Sequence, residues 1–463
     1  MTAAQGQKLW TSAEIEAATG GVASAPFEVD GVTFDSREVG PGDLFVAMPG
    51  TIADGHEFVT AAYAAGATGT LVSQPVEGPH ILVPDVAAAL TALAIAARAR
   101  VDATIIGVTG SVGKTSTKEA LADALERSCR CQVHRSVKSY NNHTGVPLSL
   151  ARMPRDTLAA VFEMGMNHAG EIAALTRLVR PHIAIITAIA PAHIENLGTI
   201  EAIAAAKAEI FEGLEDEGVA IVPEDTDQRD LLVKAARRRG VECITFGGPG
   251  ADVAAIHAVR AHNGGSLITA RLMESDLTYT ISQRGDHWVT NSLAVLAAVE
   301  AAGLDIAAAG LALADMGGLK GRGERHRIIL DGGSALLIDE SYNANAASMA
   351  ATLKSLGAET GFKRRIAVLG PMRELGEQSD ALHAALAPEI TAAKVDRLIL
   401  IGDEMHPLET ALAGAVPFDH VADADEAIFM LRKVIAPGDA VLVKASNSVG
   451  LARLVAAVAG GSA

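Results

Sequence analysis

The stretch from Thr104 to Leu125 reads Thr-Ile-Ile-Gly-Val-Thr-Gly-Ser-Val-Gly-Lys-Thr-Ser-Thr-Lys-Glu-Ala-Leu-Ala-Asp-Ala-Leu. It begins with β-branched residues, continues through a glycine-rich segment, and ends with apolar side chains at helical spacing. This order predicts a strand, a loop and a helix. Glycine permits backbone angles that are closed to other residues, so the amide groups of such a loop can converge on phosphate oxygens at a helix N-terminus. The stretch therefore predicts a phosphate-binding loop.

This loop also carries the side chains that nucleotide binding requires. Lys114 would supply a positive charge to the phosphates, and Thr115 would supply a hydroxyl ligand for Mg²⁺. The strict pattern of such loops has glycine five residues before Gly113, where this chain has Val108. The alternative is an ordinary turn that contains Gly-Lys-Thr by chance. We predict nucleotide binding by Gly110, Ser111, Gly113, Lys114, Thr115 and Ser116.

Length and composition set the size of the molecule and exclude some partners. A chain of 463 residues suggests about three domains of about 150 residues each. We place them at residues 1–103, 104–322 and 323–463, all of α/β type because short β-like runs alternate with helical patterns. The net charge of −17 repels nucleic acid and anionic lipid, so neither is expected as a partner.

The cysteines and the apolar segments indicate in which cellular compartment the protein is expected. The chain has three cysteines, Cys129, Cys131 and Cys243. Their odd number and their spacing predict reduced thiols rather than disulfides or a metal site, as in a cytosolic protein. The N-terminus lacks an apolar signal segment, and the most apolar stretch, 86–101, contains two arginines. We expect a cytoplasmic protein without a membrane span.

Two apolar runs after the loop each end in a polar segment. Residues 158–162 precede Glu163, and residues 183–189 precede a segment that contains His193. In open parallel sheets, ligands gather at the carboxyl ends of the strands, so both side chains are candidates for the metal and γ-phosphate site. Taken singly, each would be a surface or capping residue.

Two residues on predicted helices are weaker candidates. Lys207 lies on or beside the apolar face of a helix predicted over 200–214, where it either extends to solvent or is held near phosphate. Asn291 follows His287 by one helical turn and could offer a donor and an acceptor to a purine.

The two ends of the chain add further candidates. Ser36 and Arg37 lie on a predicted loop and could bind a phosphorylated ligand, although a solvated turn is the simpler interpretation. A glycine-rich joint over 316–324 contains Arg322. Beyond it, short strands that each end in a polar or glycine loop predict a small doubly wound sheet that can close over the central site.

Taken together, these segments resemble the Mur ligase family over nearly the whole chain. The resemblance rests on Asp35-Ser-Arg, Thr109-Gly-Ser-Val-Gly-Lys-Thr, Tyr140-Asn-Asn-His-Thr-Gly-Val-Pro, Glu163-Met-Gly-Met-Asn-His, Ala192-His193, Lys207-Ala-Glu-Ile-Phe, His287 with Asn291, Asp339-Glu-Ser-Tyr-Asn-Ala-Asn and Gly370-Pro-Met-Arg-Glu-Leu-Gly. It implies an N-terminal domain for a UDP-linked precursor, a central ATPase domain with a parallel sheet, and a Rossmann-like C-terminal domain.

The resemblance also implies an activity and its site residues. The activity would be ATP- and Mg²⁺-dependent joining of D-alanyl-D-alanine to UDP-N-acetylmuramoyl-tripeptide through an acyl phosphate, by a monomer. Its implied catalytic residues are Lys114, Glu163, His193 and Lys207, with Lys207 as a carbamate; Thr115, Glu163 and His193 would bind Mg²⁺. The substrate residues would be Ser36, Arg37, Asn142 and Thr144, and the nucleotide residues beyond the loop Asn291, Arg322, Asp339, Tyr342 and Asn343.

Three other functions stay open at this point. The nearest is a Mur ligase that adds diaminopimelate or lysine, although the Asp-Asn-Pro-Arg motif of the diaminopimelate-adding relative is absent. A nucleotide-hydrolysing switch would need no UDP-sugar domain. A catalytically idle binding subunit would be expected to lose Lys114 or Glu163, and both are present.

Overall fold

The computed structural model describes residues 8–50, 53–192, 194–261 and 264–460. Within these ranges, three large sheets of five, nine and six strands follow one another along the chain. Helices pack on each of them, so the α/β fold predicted from the sequence is confirmed. The limits of the three domains stay a prediction.

The first sheet has the strand order β2-β7-β6-β5-β4, and a small ribbon pairs β1 with β3. The strands are β1 (Trp10–Thr11), β2 (Val22–Ala23), β3 (Glu28–Val29), β4 (Gly31–Thr33), β5 (Asp43–Val46), β6 (Gly69–Val72) and β7 (His80–Leu82). The helices are α1 (Ser12–Thr19), α2 (Val59–Ala65) and α3 (Val86–Ala99). Strands β4 to β7 run parallel. Helix α3 packs between this sheet and the next domain through a core of Ala, Val and Leu side chains.

The second sheet follows α3. Its strands are β8 (Thr104–Thr109), β9 (Val133–Arg135), β10 (Ala159–Glu163), β11 (Ile183–Ile186), β12 (Val219–Pro223), β13 (Glu242–Gly247), β14 (Val253–Arg260), β15 (Ser266–Arg271) and β16 (Asp276–Ile281). Its helices are α4 (Lys114–Cys129), α5 (Gly145–Ala151), α6 (Glu171–Val179), α7 (Ile194–Leu197), α8 (Ile200–Ala208), α9 (Arg229–Arg239), α10 (Asp286–Ala301) and α11 (Ile306–Asp315). The order is β16-β15-β14-β13-β12-β11-β8-β10-β9, with β8 between β11 and β10, third from the β9 edge. Strands β8 to β14 run parallel, and β15 and β16 extend the sheet antiparallel.

The third sheet has the order β17-β18-β22-β19-β20-β21. Its strands are β17 (Glu324–Leu330), β18 (Gly333–Glu340), β19 (Arg364–Leu369), β20 (Arg397–Ile401), β21 (Phe418–Val421) and β22 (Asp439–Lys444). Its helices are α12 (Ala346–Gly357), α13 (Ser379–Ala384), α14 (Ala387–Ala392), α15 (His406–Leu412), α16 (Ala424–Val434) and α17 (Leu451–Ala459). Ala367 and Leu369 of β19 enter one apolar core, whereas Ile366 and Val368 enter another on the opposite face. The sheet is therefore covered on both faces, as a doubly wound sheet requires.

Two predicted elements end earlier than expected. Strand β11 ends at Ile186 because Thr187 turns toward the loop after β8, where its hydroxyl donates to the Val112 carbonyl at 2.6 Å. Helix α8 ends at Ala208, and Glu209–Gly213 continues as a tighter 3₁₀ helix.

The expectation of reduced thiols is wrong for two of the cysteines. Helix α4 ends at Cys129, and Arg130 takes a left-handed conformation with φ of 54°. This turn folds the chain back on itself, which brings Cys131 within 5.2 Å of Cys129, Cα to Cα, and the two form a disulfide. Cys243 is free.

Within the residues that the structure describes, no helix combines the length and the apolar character that crossing a membrane requires.

Candidate active site

The loop between β8 and α4 has the geometry of a phosphate cradle. Gly110 and Gly113 have positive φ angles of 150° and 83°, which other residues rarely adopt. The Lys114 ammonium folds back over the loop and donates to the Gly110 carbonyl at 2.8 Å. A helix of 16 residues begins at Lys114, so its positive N-terminal end faces the loop. The loop thus presents backbone amides and one cation to an anion.

Glu163 is the last residue of β10 and lies next to Val108 of β8 in the parallel register. Its carboxylate accepts a hydrogen bond from the Thr115 hydroxyl at 2.7 Å and another from the Asn141 amide at 2.7 Å. Only 1% of the residue is exposed. Sequence analysis placed Thr115 and Glu163 at one metal site, and the structure brings them into contact. Asn141 was not singled out, although it lies in a motif that was quoted.

The third predicted metal ligand, His193, lies outside the described residues, so its role stays a prediction. The segment just before it is tied to the nucleotide loop. The Ser111 hydroxyl donates to the Ala190 carbonyl at 2.9 Å and accepts from the Ala190 amide at 3.0 Å. Ser111 therefore has a structural role in addition to its predicted contact with the nucleotide.

A cavity of about 880 Å³ opens over the loop. Its walls come from the second and third sheets and their loops. The predicted site residues that line it are Ser111, Gly113, Lys114, Thr115, Ser116, Asn142, Glu163, Asn291, Arg322, Tyr342 and Asn343. Its described lining does not include Gly110, Ser36, Arg37, Thr144, Lys207 or Asp339.

The Asn291 side chain lies directly beside Gly113 of the phosphate loop. A Cβ placed on Gly113 would lie 3.3 Å from both polar atoms of the Asn291 amide. The residue is 8% exposed and lies in α10, which packs on α4. This geometry favours a role beside the phosphates, or in supporting the loop, over recognition of the base.

The wall from the third sheet includes the glycine-rich joint. The Arg322 guanidinium lies over the Tyr342 ring, 4.2 Å from its centre. Asp339 accepts from the Gly321 amide and from the Ser341 amide, each at 3.0 Å. Asp339 therefore holds the joint in place, and Arg322 and Tyr342 are the side chains that reach the cavity.

Two residues of this wall were missed by sequence analysis. Glu340 and Lys444 are neighbours in the register of β18 and β22, with a carboxylate-to-ammonium distance of 3.7 Å. Burial raises the pKa of Glu340, and burial lowers the pKa of Lys444 although Glu340 opposes that shift. The Lys444 ammonium also donates to the Asn343 carbonyl at 2.9 Å. Each residue ends its strand, but only the strand order reveals that they meet.

Lys207 is buried, with 1% of the residue exposed, so of the two alternatives the one in which it extends to solvent is wrong. It lies in the last turn of α8. Burial lowers its pKa well below the ordinary value, and the positive charge of Lys114 lowers it further. A lower pKa increases the fraction of the neutral amine, which is the nucleophilic form.

The N-terminal candidates form a separate group at the edge of the site. Both guanidinium contacts of Arg37 go to Asp35, at 2.8 and 2.7 Å, and hold the pKa of that carboxyl at about 2. The Arg37 side chain is 87% exposed. The next residue, Glu38, accepts from Lys138 and from Tyr140, which places this loop beside the segment that leads to Asn142.

Asn142 and Thr144 have local roles at the start of α5. The Asn142 side-chain oxygen accepts from the Thr144 hydroxyl at 3.0 Å and from the Gly145 amide at 2.9 Å. Asn142 reaches the cavity, whereas the Thr144 hydroxyl is turned toward Asn142.

Comparison with known proteins agrees with this arrangement. Three family profiles match in succession: the Mur ligase catalytic domain at residues 28–106, the Mur ligase middle domain at 108–299, and the Mur ligase glutamate ligase domain at 321–447. The chain is 33% identical to the UDP-N-acetylmuramoyl-tripeptide–D-alanyl-D-alanine ligase of Escherichia coli, over 95% of this chain and 96% of that protein.

Solved structures show the same similarity. The crystal structure of MurF from Acinetobacter baumannii superimposes with a TM-score of 0.83 at 28% identity, covering 98% of this chain and 99% of that one. MurF ligase from Thermotoga maritima, crystallised with ADP, gives a TM-score of 0.75 at 27% identity, covering 93% of this chain and 97% of that one. With the profiles spread over most of its length and a relative this similar along nearly all of it, the chain belongs to the Mur ligase family.

Proposed function

We propose that this chain is an ATP-dependent ligase that joins D-alanyl-D-alanine to UDP-N-acetylmuramoyl-tripeptide in the synthesis of peptidoglycan precursors. One observation carries the proposal most directly. Lys114, Thr115 and Glu163 converge at a single cavity whose opposite wall comes from the third sheet. A phosphate cradle that faces a second wall from another sheet can exclude water, which suits a reaction with a water-sensitive intermediate.

The chemistry follows from what amide formation needs. The terminal carboxylate of the tripeptide is a poor electrophile, so an oxygen of that carboxylate first attacks the γ-phosphorus of ATP, and ADP leaves. The amine of D-alanyl-D-alanine then attacks the acyl carbon, and the tetrahedral intermediate collapses to the amide and inorganic phosphate. Lys114 offsets the negative charge that develops on the transferred phosphoryl group.

The donor set around Thr115 fits Mg²⁺. A hydroxyl and a carboxylate are oxygen ligands of the kind that Mg²⁺ prefers, usually with waters and substrate phosphates as the remaining ligands. We propose that Thr115, Glu163 and His193 hold this ion. When bound, Mg²⁺ would neutralise charge on the transferred phosphoryl group.

The buried Lys207 amine has a specific place in this proposal. As a neutral amine it can add to the carbon of CO₂ and release a proton, which converts it to a carbamate anion. We propose that the carbamate supplies negative charge close to Lys114, whose own charge already acts on Lys207. Such an anion would help to hold a second Mg²⁺.

The remaining assignments complete the proposal. Gly110, Gly113, Ser116, Asn291, Arg322, Tyr342 and Asn343 would bind the nucleotide, with Asp339 positioning the joint. Ser36, Arg37, Asn142 and Thr144 would bind the UDP-linked precursor. Because its substrates are ATP and a UDP-linked precursor, we place the enzyme in the cytoplasm, and we expect a monomer.

An ADP-release assay tests the function. We expect turnover only when ATP, the UDP-muramoyl tripeptide and D-alanyl-D-alanine are all present, because the phosphoryl acceptor is the peptide carboxylate and not water. Replacing D-alanyl-D-alanine with diaminopimelate or lysine, with the corresponding dipeptide precursor, provides the control for the other ligases of the family. Full ADP release from ATP alone would overturn the proposal.

A further inference from the structure

Three side chains with metal-binding chemistry meet at the edge of the third sheet, away from the cavity. His406 and Glu409 lie in α15, and His420 lies in the edge strand β21. One ligand atom from each lies within 4.8 Å of the others. None of the three belongs to the described lining of the cavity over the phosphate loop. This cluster is therefore separate from the proposed active site.

The hydrogen bond of His420 to the backbone determines which ring nitrogen faces the cluster with a lone pair. The His420 Nε2 atom lies 3.0 Å from the Gly402 carbonyl oxygen. A carbonyl oxygen can only accept, so Nε2 must carry the hydrogen in this contact. In the neutral ring, Nδ1 then has a lone pair. Metal-binding histidines commonly have this arrangement, in which the second nitrogen donates to a backbone carbonyl.

In this neutral form of the ring, the Nδ1 atom of His420 faces a carboxylate oxygen with no hydrogen between them. Its Nδ1 atom lies 3.1 Å from Oε2 of Glu409. The same Oε2 atom lies 3.1 Å from Nδ1 of His406. A carboxylate oxygen and a neutral imidazole lone pair repel each other at this distance unless a cation lies between them. One oxygen thus faces two ring nitrogens at equal distances.

These distances match those of a tetrahedral metal site. Zinc binds imidazole nitrogen and carboxylate oxygen at about 2.05 Å, and two such bonds at a tetrahedral angle separate their ligand atoms by about 3.3 Å. The two measured separations are 3.1 Å each. We propose that His406, Glu409 and His420 bind a divalent transition-metal ion, Zn²⁺ being the best match, with solvent as the fourth ligand.

The surroundings allow such an ion to enter. The His406 side chain is 60% exposed and the His420 side chain 18%, so one histidine faces solvent while the other is held by the fold. Asp403 is fully exposed and lies 3.9 Å from the second nitrogen of His406, which adds negative charge at the entrance. The ion would join α15 to β21, which already share one apolar core through Leu408, Leu412 and Phe418.

Zinc binding to the full-length protein tests this inference. Binding would be measured by competition with a chromophoric chelator, and its position by anomalous diffraction from crystals soaked in Zn²⁺. The variants are His420→Ala and the conservative Glu409→Gln, which keeps the size of the side chain. His257→Ala, an exposed histidine in β14, is the matched control.

We expect an anomalous peak among the three side chains. We also expect each of the two variants to raise the Kd of one bound Zn²⁺ ion at least tenfold. The control His257→Ala should leave that Kd unchanged. Crystals without a peak at this position would overturn the inference. That result would indicate that a proton, and not a metal, bridges the three side chains. Zinc binding that is unchanged in Glu409→Gln would overturn it as well. These outcomes are independent of ligase activity.

Discussion

Lys114 tests whether the phosphate site has been placed correctly. Its ammonium donates only to a carbonyl of its own loop among the contacts described, so the fold should tolerate its loss. We expect Lys114→Ala to lower kcat by about 10²–10³, the usual effect of removing one donor to developing charge. Steady-state ADP release measures the rate, and thermal unfolding checks the fold. The exposed lysine variant Lys433→Ala is the control, and a rate near that of the wild type in Lys114→Ala would refute the assignment.

The buried Lys207 amine gives a second prediction at this scale. Because its pKa is lowered by burial, the amine is available to CO₂ without a separate base. We expect Lys207→Ala to lose about 10²-fold in activity and to recover part of it when formate or acetate is added. Activity as a function of added carboxylate measures the rescue, with chloride at equal ionic strength as control. A fully active Lys207→Ala enzyme would exclude the carbamate.

Among the elements, the loop from Asp35 to Glu38 can be tested separately from the nucleotide site. Its arginine is exposed and already oriented by Asp35, so it can bind a phosphate without a large loss of side-chain entropy. We expect the double variant Ser36→Ala/Arg37→Ala to raise KM for the UDP-linked precursor about tenfold and to leave KM for ATP unchanged. Arg177→Ala, an exposed arginine of α6, is the control. Equal changes in both KM values would remove the assignment.

How much of the fold the sequence predicts depends on the type of element. The apolar run predicted over 158–162 matches strand β10, Ala159–Glu163, within one residue at each end, because an apolar run followed by a polar loop is a local signal. Antiparallel strands β15 and β16 were not predicted, since their alternating residues lack a strong turn signal at the break. The early end of β11 depends on Thr187 and a loop that is 75 residues away in sequence.

The same distinction applies to the site. Lys114, Thr115 and Glu163 could be found because each follows a strand or opens a helix within a recognisable motif. The pairing of Glu340 with Lys444 could not, because it depends on which strands are neighbours across about 100 residues of chain. The disulfide at the end of α4 likewise required the left-handed turn at Arg130, which nothing in the local composition signals.

For the whole molecule, Glu359 makes one of the contacts between the second and third domains. This residue is 3% exposed and accepts from Arg284, in the loop before α10, at 2.8 Å and from Arg325 of β17 at 2.8 and 3.1 Å. A second ion pair across the same boundary, Lys354 with Asp286, is largely exposed. Exposed ion pairs contribute about 0–1 kcal/mol to stability. Removing one partner of a buried ion pair costs more, because it leaves the other charge uncompensated.

We therefore expect Glu359→Ala to open the molecule and Lys354→Ala to leave it nearly unchanged. The radius of gyration from small-angle X-ray scattering should rise in the first variant and stay constant in the second. Activity should fall about tenfold in Glu359→Ala, because water then reaches the acyl phosphate. Identical scattering curves for wild type and Glu359→Ala would show that the buried carboxylate does not hold the domains together.

The division of the cavity between two domains has a consequence for the speed of the enzyme. A nucleotide bound there would touch walls from both the second and the third sheet, so we expect ADP to leave after those walls have moved apart through solvent. Movement of large bodies meets friction, whereas bond formation at the acyl carbon does not. Glucose or sucrose, which raise the viscosity of the medium, should therefore slow the maximal rate roughly in proportion to viscosity. The rate of a slow variant such as Lys114→Ala should not change with viscosity, because the chemical step limits it.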